Sequence, residues 1–92
     1  MDLDPNYKPK ARPDLLFREL SDGGIIYEPQ TDTIHSLNAS AAFIWALCDG
    51  MHTISTIIAL IKANFSQFES EPEYEVENII EKFKRLKLLV NP

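Results

Sequence analysis

The chain has 92 residues, 45% of them hydrophobic and 25% charged, and a formal net charge of −5. That balance belongs to one ordinary globular domain, too small to enclose a large active site and too apolar to stay disordered. Fourteen acidic side chains against nine basic ones argue against duplex nucleic acid or an anionic membrane surface as the main partner, since both reward clustered lysine and arginine.

Residues 1–13 hold Pro5, Pro9 and Pro13 and few apolar side chains. Proline removes amide donors and biases its neighbours to extended forms, so this stretch reads as a flexible N-terminal arm, either idle or docking a partner. The folded domain is expected over residues 14–90. From Asp14 to Leu20 the chain reads as extended. Ser21-Asp22-Gly23-Gly24 is a turn signal, because glycine reaches positive φ cheaply. Gly24 to Glu28 is β-branched and aromatic, a second strand. Pro29-Gln30-Thr31-Asp32 breaks it, and Thr33 to Leu37 alternates apolar and polar as a half-buried third strand does. Short connections make the three an antiparallel meander.

From residue 38 the period changes from two to 3.6. Asn38 is a good N-cap. Ala41, Ile44, Trp45 and Cys48 share one helical face, and Asp49-Gly50 closes the helix. Thr53 caps a second helix with a stripe of Ile54, Ile57, Ile58, Ile61 and Phe65. Residues 66–72 read as a loop. A third helix starts near Glu73, behind Pro72. Its apolar face is Val76, Ile79, Ile80, Phe83 and Leu86, with Ile79 and Ile80 competing for the inward position. Glutamates lead this helix and Lys82, Lys84, Arg85 and Lys87 follow, the order the helix dipole favours. The fold class is therefore α+β, a three-stranded antiparallel sheet followed by three helices.

A search for chemistry returns little. Cys48, His35 and His52 form no pair at metal-ligand spacing, and Cys48 lies on an apolar face, so no metal or cofactor is expected. Cys48 and His52 are four apart, but Gly50 interrupts the helix between them, which removes a catalytic dyad. The six glutamates from Glu69 to Glu81 read as a solvated face, or as an acidic patch for a basic partner. Gly23-Gly24 lies between strands, not before a helix N-terminus, and so is no phosphate cradle. No catalytic residue and no enzyme activity is expected. A lone cysteine, no apolar run near the ~18–20 residues of a membrane span and no signal-peptide stretch make the cytoplasm the default location. A surface remains: a free outer edge on the third strand would offer unpaired amides and carbonyls to another chain.

The stretch from Thr33-Ile34-His35-Ser36-Leu37-Asn38 through Phe43-Ile44-Trp45 to Asp49-Gly50 resembles the PqqD-like pattern. In that pattern a strand ends in Leu-Asn, small residues open a helix that carries Ile-Trp, and Asp-Gly closes it. Thr53-Ile54 and the closing Phe83 to Leu89 run are similar as well, and the resemblance covers about residues 14–90. It implies a winged-helix-like β3α3 module that recognises the precursors of ribosomally made, modified peptides (a RiPP recognition element). It further implies that a leader peptide adds beside the third strand, in a groove shared with the third helix. A modifying enzyme, often a radical SAM enzyme or a leader peptidase, then acts on the delivered peptide. Thr56 stands where the pattern often has an acidic residue, and Lys87 where it has glycine.

Each added backbone hydrogen bond nets about 0.5–1.5 kcal/mol, while fixing each peptide residue costs about 1–2 kcal/mol. Pairing alone gives register but little affinity. Two or three apolar anchors, each worth about 1.5–3 kcal/mol, are required. The candidate peptide-binding residues are Thr33, Ile34, His35, Ser36 and Leu37 on the strand, and Val76, Ile79, Ile80 and Phe83 on the helix. Lys82 and Arg85 are candidates to meet leader carboxylates. The competing readings are a winged-helix DNA-binding domain, opposed by the charge and by strands that all precede the helices, and a dimeric scaffold in which the free edge pairs with itself as a homodimer.

Overall fold

The computed structural model describes residues 3–65 and 71–90. Three strands, β1 (Leu16–Leu20), β2 (Gly23–Glu28) and β3 (Thr33–Asn38), precede three helices, α1 (Ala39–Ala46), α2 (Ile54–Asn64) and α3 (Pro72–Arg85). Both strand pairs are antiparallel and the order is β1-β2-β3, the expected meander. The expected loop at residues 66–72 falls mostly on residues 66–70, outside the described ones.

Leu20 pairs with Gly23, so the hairpin turn is Ser21-Asp22 alone and both glycines lie inside β2. Their role is close approach rather than the turn. A Cβ on Gly23 would collide with the Leu37 carbonyl oxygen, and one on Gly24 would stand 2.6 Å from the Phe17 ring.

Helix α1 opens as its sequence indicates: the Asn38 side chain accepts from the Ala41 amide at 2.9 Å. It ends two residues sooner than its apolar face suggests, with Leu47 as C-cap. Cys48 is nonetheless buried in the core. Thr53 caps α2 through the Thr56 amide at 3.1 Å. Helix α3 carries Pro72 in its first turn with Glu73 and Glu75, and Lys82, Lys84 and Arg85 in its last turn, so its charges complement its dipole at both ends. It closes on a Schellman motif: the Leu88 amide reaches the Phe83 carbonyl (2.9 Å) and the Lys87 amide the Lys84 carbonyl (3.0 Å). Lys87 takes the left-handed conformation, φ 60°, where glycine is the usual occupant.

The core lies between the inner face of the sheet and the three helices. Ile26, Ile44, Trp45, Ile57, Ile61, Val76, Ile80, Phe83 and Leu88 are among its members. Trp45 meets Phe83 edge-to-face, with ring centroids 5.2 Å apart.

Where the sequence suggests a free arm, residues 3–13 lie along the domain. The carbonyls of Tyr7 and Pro5 accept from the Ile54 and Ser55 amides, at 2.9 and 3.1 Å, satisfying donors that the start of α2 leaves open. Isolated bridges join Lys10 to Asp49 and Ala11 to Leu89, and Pro9 is fully buried. Arg12 then grips Asp14 with two bonds (3.1 and 2.6 Å), Glu28 (3.1 Å) and the Lys87 carbonyl (2.9 Å).

Candidate functional site

Strand β3 pairs on one side with β2. Among the described residues, no backbone hydrogen bond joins its other side to another segment. Beside this open edge, between the second half of β3 and α3, runs a groove of about 340 Å³ lined by Ser36, Leu37, Asn38, Ala41, Glu75, Ile79, Lys82 and Phe83. Leu37, Ala41, Ile79 and Phe83 make an apolar floor. Glu75 and Lys82 give it two ionisable rim groups.

Helical spacing explains the α3 contribution. Val76, Ile80 and Phe83 are buried and form the stripe that anchors the helix on the core. Glu75, Ile79 and Lys82, at i, i+4 and i+7, form the adjoining stripe that walls the groove. Ile79 and Ile80 are thereby assigned: Ile80 is fully buried, and Ile79 is half-buried in the groove wall.

Of the residues expected from sequence, the structure brings Ser36, Leu37, Ile79, Lys82 and Phe83 together. Val76 and Ile80 lie beneath them in the core. Arg85 is exposed and outside the lining. Thr33, Ile34 and His35 occupy the first half of β3. Ile34 pairs with Tyr27, which pairs with Leu16, so all three project from the face opposite the helices. Ile34 is therefore not a groove residue, and 62% of it is exposed. Its expected place between β3 and α3 is corrected by the strand register: Ile26, opposite His35, faces the core, and the alternation turns Ile34 outward.

His35 Nε2 meets Glu28 Oε2 at 2.8 Å, and Arg12 holds the other Glu28 oxygen. These bonds, first from His35 and then from Arg12, lower the pKa of Glu28. His35 thus braces β3 to β2 on the helix-facing side. Asn38, Ala41 and Glu75 line the groove without having been singled out for it. Asn38 and Ala41 follow from continuing β3 into α1, and Glu75 from stepping back one turn from Ile79.

The groups whose chemistry suits catalysis are occupied otherwise. Burial, and then the charge of Asp49, push the Cys48 thiol up to about 12, and its Sγ lies 3.3 Å from the Ile44 carbonyl oxygen. The His52 ring bonds Asp49 at 3.0 Å, inside a turn that also ties the Met51 amide. Among the described residues no group of three or more His, Cys, Asp or Glu side chains is placed to hold a metal ion, and no helix is long and apolar enough to cross a membrane.

The family model described as coenzyme PQQ synthesis protein D (PqqD) matches residues 23–89, from β2 to the bridge at Leu89. The chain belongs to the PqqD family. No curated protein matches it in sequence. Two solved structures share its fold. One, TbiB1 in complex with the TbiA(β) leader peptide, has a TM-score of 0.76 at 20% identity, covering 90% of this chain and 96% of that one. The other, lasso peptide synthetase B1 complexed with the leader peptide, has a TM-score of 0.72 at 17% identity, covering 92% and 99%. The β3α3 architecture of this PqqD-family domain is therefore that of both proteins.

Proposed function

We propose that this PqqD-family domain binds the leader segment of a ribosomally made precursor peptide and presents it to a modifying enzyme, such as a radical SAM enzyme or a leader peptidase. The observation that carries the reading is the open edge of β3 beside the apolar groove on α3. The leader extends the sheet as a fourth strand. Its inward side chains enter the groove over Leu37, Ile79 and Phe83, and its outward ones flank Ile34. The backbone bonds gained and the ordering cost nearly cancel, so the apolar anchors supply the affinity. The likeness to two proteins whose structures hold leader peptides supports the same reading.

The role is non-catalytic: Cys48, the one thiol, is buried and held in its protonated form at neutral pH. A free buried thiol also suits a reducing compartment, in keeping with a cytoplasmic location. The test is calorimetry with a synthetic leader peptide, taken from a short precursor reading frame if one lies beside this chain's gene, against a scrambled control. Ile79→Asp abolishes binding, and Ile34→Asp, on a side chain already exposed, weakens it while the circular dichroism spectrum stays unchanged. Unaltered affinity in both variants refutes the site.

A further inference from the structure

Backbone pairing along β3 is blind to sequence. A bound strand that slips by two residues keeps the same faces and the same hydrogen bonds, and a floor made of Leu37, Ile79 and Phe83 accepts many apolar side chains. Something else has to fix the register, and among the described residues the groove lining offers two ionisable candidates, Glu75 and Lys82. They stand seven residues apart on α3, about 10 Å along its axis.

Lys82 differs from the other cations near it. The ion pairs among the described residues join Arg12, His35, His52 and Lys62 to carboxylates. Lys84 lies over the Tyr7 ring, 5.5 Å from its centroid, and Arg85 is exposed outside the groove. The Lys82 ammonium has no partner among the described residues, although the chain carries fourteen carboxylates. It is also the one cation among the described residues that line the groove, set beside the apolar floor of Ile79 and Phe83, where a bound strand excludes water and strengthens a charge-assisted bond. The net charge of −5 repels acidic segments elsewhere on the surface.

We infer that Lys82 is a specificity-determining residue, selecting bound strands that carry an aspartate or glutamate at one fixed offset from their apolar anchors. The inference rests on the strand-addition reading and names the chemistry of its ligand. The acidic side chain pairs with Lys82 and pins the register.

The probe is a phage-displayed library of random 12-residue peptides, panned on the wild-type chain and on Lys82→Glu, Lys82→Gln and Arg85→Glu. Wild-type binders combine two or three apolar residues with an acid at a constant offset. Lys82→Glu binds those peptides about ten-fold more weakly and enriches lysine or arginine at the same offset. Lys82→Gln loses the preference, and Arg85→Glu keeps it. Apolar anchors without an acidic position, or the same acidic position selected by Lys82→Glu, overturn the inference and leave strand addition standing. Binders insensitive to Ile79→Asp overturn strand addition itself.

Discussion

Two neighbouring isoleucines separate the structural face of α3 from its binding face. Ile80 is fully buried; Ile80→Ala removes about three methylene equivalents at ~0.8 kcal/mol each and leaves a cavity behind. The combined loss is about 2–5 kcal/mol of stability, which for a domain of this size lowers the melting temperature by at least about 10 °C. Ile79 is half-buried in the groove wall. Ile79→Ala forfeits about 1 kcal/mol of folding stability, and a similar amount of the contact a bound strand would complete, about a five-fold rise in Kd. Thermal denaturation of both variants, with calorimetry of leader binding for Ile79→Ala, measures the contrast. Equal destabilisation by the two substitutions, or leader affinity unmoved by Ile79→Ala, would refute the division of α3 into two stripes.

Lys87→Gly relieves a left-handed backbone at an exposed position and raises stability by about 0.5–1 kcal/mol, read from urea midpoints. Gly23→Ala drives a methyl group into the Leu37 carbonyl. It costs more than about 1 kcal/mol and broadens the amide resonances of β3 in an NMR spectrum. The lowered pKa of Glu28 means that its share of stability is complete above the unfolded carboxylate value, about 4.3, and is lost as pH falls through the lower folded value. Glu28→Gln therefore flattens the acid limb of a stability-against-pH curve, and a curve parallel to wild type below pH 4.5 would count against the His35–Glu28–Arg12 link.

Most of the fold is legible in the residues because each local signal agrees with its neighbours. The period of two up to Leu37 and of 3.6 after Asn38 marks the change from strand to helix, and Asn38 and Thr53 cap where their side-chain chemistry indicates. Gly23-Gly24 misleads because a turn and a close approach both ask for glycine, and only the strand pairing, Leu20 with Gly23 above all, distinguishes them. Much of the packing of residues 3–13 is invisible for another reason: backbone groups, among them the carbonyls of Pro5, Tyr7, Pro9 and Lys10, carry a large part of it, and every residue type has a carbonyl. In the groove, the α3 residues could be named from helical spacing but not sorted, since Ile79 and Ile80 differ by 100° of rotation that only the core contacts resolve. The place of Ile34 is not legible in the residues because an alternating strand has two faces, and the sequence does not say which one meets the helices.

The unsatisfied flank of β3 also shapes the behaviour of the empty protein. A strand that can receive a guest can receive its own twin, and Ile34, Tyr27 and Leu16 widen the sticky area around it. Mutual repulsion between copies of charge −5 is the counterweight, and salt weakens it. Concentrated, high-salt solutions of the unliganded domain should therefore self-associate through this flank, and saturation with a leader should return them to monomers.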